Sequence, residues 1–118
     1  MQRKPKQMTR TAPAKVVKVR SHVPDKSRAA LERLIQIAQG DTGQSRIVAN
    51  FLLAWWNAAE CGGFDLTDLW GVDPSIAVDM LRVFALLAGC QRYPDAMGYG
   101  RQFEEIVRAW RPALAAKH

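Results

Sequence analysis

Catalysis near neutral pH most often recruits histidine, and this chain has two, His22 and His118, one at the edge of an N-terminal tail and one at the last position. Neither lies in a segment patterned as a rigid element, so a Ser-His-Asp or Cys-His apparatus lacks its base. A zinc site needs four ligands that close on the ion. Cys61, Cys90, His22 and His118 show neither C-x-x-C nor H-x-x-x-H spacing, and no metal or other cofactor is expected. The two cysteines read instead as small buried apolar residues of a reduced, cytoplasmic protein. Carboxylates are the remaining reactive groups. Asp65, Asp68 and Asp73 fall within FDLTDLWGVD and could hold Mg²⁺ or share a proton. Asp65 and Asp73 each precede a helical pattern, however, and are better explained as N-caps, which leaves Asp68 alone. Asp79 interrupts an apolar run and is costly without a partner; Arg82, one turn on, is the expected one. With only Asp68 and Asp79 as candidate groups, no catalytic residue is assigned and the chain is not read as an enzyme.

Phosphate chemistry is no better supported. GDTGQS at 40–45 precedes a helix but lacks the Walker spacing and its lysine, so a cap and turn is the simpler reading. Gly98-Tyr99-Gly100 reads as a flexible joint. Four tryptophans are the more unusual feature, and Trp55 and Trp56 are adjacent. Neighbouring side chains on a helix diverge by about 100°, so both are not expected in one core. Trp56 then packs on a second layer, such as the 64–70 turn or the N-terminal arm, or lies exposed as an anchor for a protein partner. The docking candidates are Trp56, Asp68 and Trp70.

The elements that would position these residues are all helical. Leu31, Leu34, Ile35 and Ala38 form one stripe on a first helix that begins around Pro24 to Ser27, with Gly40 placed for a left-handed C-terminal cap. Asp41 and Gln44 have capping-box spacing for a second helix over about 44–60, with a stripe of Ile47, Val48, Phe51, Leu52, Trp55 and Ala59 broadened by Leu53 and Trp56. A short helix over 64–70 connects to Asp73-Pro74, a strong helix start. The run from Pro74 to about Gly89 is apolar nearly all round, which predicts a central helix covered on most sides. A fourth helix over about 101–111 buries Phe103, Ile106, Val107 and Trp110, and Pro112 marks its end. The expected fold is therefore all-α, a compact bundle of four main helices plus one short connecting helix. It occupies 24–118 and follows a flexible basic arm over 1–23.

Charge is divided as sharply as hydropathy. The 118 residues carry a formal net charge of +6, yet seven of the 17 Lys and Arg precede the first acid: Arg3, Lys4, Lys6, Arg10, Lys15, Lys18 and Arg20. The ten others face all 11 acids, so the globule is slightly acidic and the arm carries +7. Such a segment cannot bury enough to offset its ordering entropy and is expected to be disordered when free, apart from a short strand that KVVKVRSHV could form on a partner. Its charge attracts polyanions without a fixed shape, and it has no aromatic residue with which to read bases. No apolar run approaches the roughly 20 residues of a membrane span, so no membrane partner is expected.

GDTGQSRIVANFLLAWWNAAECGGFDLTDLWGVD at 40–73 and YPDAMGYGRQFEEIVRAWRP at 93–112 resemble a bacterial family built on a domain of unknown function and carried on plasmids and integrative conjugative elements. The resemblance spans about 28–112 and omits the arm. It implies a helical accessory protein of mobile DNA and transfers no reaction or site. The expected function is a non-enzymatic accessory protein whose arm contacts nucleic acid nonspecifically while the globule docks a protein; the alternative is a protein-directed inhibitor or adaptor of anti-defence type that uses an exposed Trp or loop surface.

Overall fold

A computed structural model describes residues 23–116, and all regular structure among them is helical. The basic residues Arg3 to Arg20, His22, the strand-like KVVKVR and His118 lie outside the described residues. Val23, assigned to the arm by its neighbours, is buried against the globule.

Helix α1 (Asp25–Ala38) buries Ala30, Leu31, Leu34, Ile35 and Ala38 along one stripe. It ends without a left-handed residue. Gly40 is required for space instead, since a Cβ there would stand 2.7 Å from the Ser45 Oγ. Helix α2 (Gly43–Cys61) is capped by Thr42, whose Oγ1 accepts from the Ser45 amide at 3.0 Å and pairs with the Ser45 hydroxyl at 2.9 Å. The expected Asp41–Gln44 box does not form, because the Gln44 Oε1 is taken by the Asp73 amide at 2.7 Å. That bond ties the start of α2 to the start of α3 (Pro74–Cys90). Near its end α2 leaves helical geometry at Asn57, whose side chain accepts from the Glu60 amide and restarts the final turn.

A 3₁₀ segment, Leu66–Gly71, connects α2 to α3 and is opened by Asp65, whose carboxylate accepts from the Thr67 amide and hydroxyl. The segment lies against α2 so closely that a Cβ on Gly71 would meet the Ile47 Cδ1 at 2.9 Å. Asp73 holds the N-cap position of α3 without a side-chain cap bond; Pro74 at the first turn supplies the start. After a second 3₁₀ turn, Pro94–Met97, come α4 (Gly100–Trp110) and the short α5 (Pro112–Ala115).

The layer order differs from the one hydropathy predicts. α1 lies between α2 and α3, α4 packs on α2 and also touches α1, and α3 forms an outer layer resting chiefly on α1. The apolar run that reads as central is therefore peripheral. Met80, Val83, Leu86, Cys90 and Asp79 face inward, while Val78, Leu81 and Phe84 point to solvent.

Polar links span the layers. Arg111 donates to the carbonyls of Cys61 and Trp110 and to the Asn50 Oδ1 at 2.8–2.9 Å, fastening the end of α4 to both halves of α2. Trp110 donates to the Ala38 carbonyl at 2.7 Å and closes α4 against α1. Gly98-Tyr99-Gly100 is an anchor rather than a joint. Tyr99 is buried, takes a hydrogen bond from Arg28 at 2.8 Å and donates to Glu32 at 2.7 Å.

Candidate docking surface

The residues named as reactive are held in structural contacts. Asp79 is buried and accepts two hydrogen bonds from Arg33 of α1, at 2.8 and 2.9 Å. Arg82 is not its partner: Asp79 lies on the inner arc of α3, and Arg82 is turned toward solvent. The paired carboxylate raises the Arg33 guanidinium further above its ordinary value, first through the hydrogen bonds and then through charge. Asp65 serves its own turn, and its carboxyl is held below the usual range by the Thr67 hydroxyl and amide. No group of three or more His, Cys, Asp or Glu converges on a metal-sized space among the described residues. Cys61 and Cys90 are free and buried, and burial pushes the Cys61 thiol up, away from the reactive thiolate.

The tryptophan pair resolves in a way that divergence alone does not anticipate. Trp55 and Trp56 both meet Phe103 of α4 edge-on, at 5.9 and 5.5 Å between ring centres. Two long side chains that leave the helix at different angles form a fork, and one ring between the prongs touches both. Trp56 is thus half-buried and packed on α4 rather than standing as an exposed anchor. Beside it a cleft of about 440 Å³ lies between the end of α2, α4 and α5, lined by Trp56, Val107 and Leu114 with Glu104 and Arg108 at its polar side.

Exposed apolar surface is concentrated elsewhere. Trp70 is 85% exposed and Leu66 68% exposed on the 3₁₀ segment, while Asp68 between them is half-buried. On α3, Val78, Leu81 and Phe84 are each between 51% and 59% exposed, and Ala85 and Ala88 stand open beside them. Tyr93 is exposed just after the helix. Of the three docking candidates named from sequence, Trp70 is exposed on the 3₁₀ segment, Asp68 is half-buried beside it and Trp56 is half-buried on α4. Sequence does not single out Val78, Leu81 and Phe84, because a helix that is apolar nearly all round has the pattern of an enclosed one.

A family profile matches residues 28–111, nearly the whole described globule. The chain belongs to the family of unknown function DUF7673. The DUF7673 region includes every helix from α1 to α4 except the first turn of α1, and it contains the tryptophan fork, the Arg33–Asp79 pair and the exposed face of α3. Comparison with curated proteins and with solved structures returned no match. No helix among the described residues is long and apolar enough to cross a membrane.

Proposed function

We propose that this DUF7673 chain is a non-enzymatic, cytoplasmic accessory protein of a bacterial mobile genetic element, whose basic segment Arg3 to Arg20 contacts nucleic acid nonspecifically while the helical globule docks a protein. The observation that carries the reading is the charge division, seven cations and no acid before residue 23 against a near-neutral fold. A linear polyanion takes such a segment through counterion release, which needs no shape complementarity. The globule's contribution is the 3₁₀ segment, where Trp70 and Leu66 offer an aromatic and an aliphatic side chain beside the Asp68 carboxylate. Exposed tryptophan is a typical anchor of protein interfaces.

Removing residues 1–22, which keeps the buried Val23, and titrating duplex DNA at two salt concentrations tests the reading. With up to seven phosphate contacts, log K should fall with log salt at a slope no steeper than about −6, and the truncated chain should lose most of its affinity. Equal affinity of the two forms, or no binding by the full chain, overturns it. The exposure of Trp70 supports a second reading, a protein-directed inhibitor or adaptor of anti-defence type that binds no nucleic acid. On that reading the same titration is flat, and Trp70→Ala abolishes partner capture.

A further inference from the structure

A helix with apolar residues on its whole circumference is found covered, and α3 is covered on one side. Its inner arc rests on α1. Its outer arc carries Val78, Leu81, Ala85 and Ala88 at spacings of three, four and three, the seam of a heptad, flanked by Phe84 on one side and Arg82 on the other. We propose that this outer face is a two-fold interface that receives α3 of a second copy, antiparallel, with the axis near Val83.

The sequence of the face is self-complementary under that operation. In antiparallel register about position 83, Leu81 lies over Ala85 and Val78 over Ala88, so a large side chain meets a small one at each level of the seam. A two-fold axis perpendicular to the helix pair keeps each flank on its own side, as an isologous interface requires. The two Phe84 rings therefore meet on one flank, and the two Arg82 guanidinium groups lie at the opposite rim, where they reach water.

Register and charge favour this occupant over others. The half-exposed Val78, Leu81 and Phe84 together with the open alanines present roughly 400 Å² per copy, so a pair buries up to about 800 Å², the size of a weak, reversible association. The N-terminal segment is a poorer fit, because its seven cations would meet a face without a single acid. The like-charged Arg82 pair sets a sign that separates this contact from nucleic-acid binding: salt screens the repulsion and leaves dimerisation equal or tighter, whereas it weakens binding to DNA. The interface does not use Trp70 or Leu66, so it stands or falls independently of the partner reading.

Sedimentation of the full chain, from sub-micromolar to about 0.2 mM and at low and high salt, provides the test, since that range covers weak, reversible association. The expected result is a reversible monomer–dimer equilibrium that Leu81→Glu weakens at least a hundredfold, as does Phe84→Glu, with helical circular dichroism unchanged because both side chains face solvent. A monomer at every concentration overturns the proposal. So does a dimer that survives both substitutions, or a full chain that is monomeric while the form lacking residues 1–22 dimerises, which would make the N-terminal segment the occupant.

Discussion

Arg33 on α1 and Asp79 on α3 form a two-pronged pair, Nε and one Nη each donating to a separate carboxylate oxygen at 2.8 and 2.9 Å. The two ends differ in solvation: the Arg33 side chain is largely exposed and Asp79 is buried. Truncating the arginine leaves a buried carboxylate with its partner gone, whereas truncating the acid leaves a guanidinium that water can solvate. Arg33→Ala should therefore cost more than Asp79→Ala, with water access to the arginine keeping both below the cost of a fully buried pair. Urea unfolding of both variants and the double mutant measures the difference and the coupling. A coupling near zero would show that the pair is merely a surface contact.

Phe103 is fully buried between Trp55 and Trp56, so its removal empties the fork as well as the core. Phe103→Ala should cost about 3–5 kcal/mol. It should also change the near-UV circular dichroism of two tryptophans at once. Phe103→Leu, which fills part of the volume, should recover stability more fully than it recovers that aromatic signal.

How far the sequence discloses the fold varies by element for physical reasons. The α1 stripe and the Asp73-Pro74 start are legible because periodicity and backbone chemistry act locally. The layer order is not: an all-round apolar helix has the same pattern whether its second face meets another part of this chain or another molecule. The cap of α2 shows the same limit at smaller scale. Asp41 and Gln44 have the right spacing, but Gln44 is committed to the Asp73 amide, a contact 29 positions away that no local rule contains. At the candidate site, Trp70 was legible as an apolar residue in a turn, while the outer seam of α3 was hidden by the same ambiguity as the layer order.

Those competing caps make a direct comparison. Thr42→Ala should destabilise by about 1 kcal/mol, because Thr42 holds the Ser45 amide and the hydroxyl packed against Gly40. Asp41→Ala, at an exposed position outside the cap, should change stability by less than about 0.5 kcal/mol. Thermal unfolding of the two variants distinguishes this arrangement from a capping box, which would reverse their order.

Stability should be flat near neutrality and fall at both ends. Burial raises the Cys61 thiol above its ordinary 9.0, and burial with the Glu32 hydrogen bond raises the Tyr99 phenol above its ordinary 10.0. A raised acid is kept neutral by the fold, so its contribution is complete below the unfolded value and is lost as pH climbs from about 9 through the folded values. Asp65 has the opposite sign: its carboxyl is lowered from 3.8, so its contribution is present above that value and disappears as pH falls through the folded one. Denaturation midpoints measured across pH should show Cys61→Ala and Tyr99→Phe flattening only the alkaline limb and Asp65→Ala only the acid limb. A variant that moved the other limb would assign the titration to different groups.

Trp70 is the one tryptophan of the four with most of its surface in water; Trp55, Trp56 and Trp110 are half-buried, and the first and last of these donate to the Arg92 and Ala38 carbonyls. Fluorescence of the free protein should therefore contain a red-shifted component open to iodide, and Trp70→Phe should remove it. The substitution touches no core contact and should leave stability within about 0.5 kcal/mol. Because the 3₁₀ segment lies outside the α3 seam, the component should persist unchanged when protein concentration is raised through the dimer transition. Loss of iodide access on concentration alone would place Trp70 between copies and transfer its role from a foreign partner to self-association.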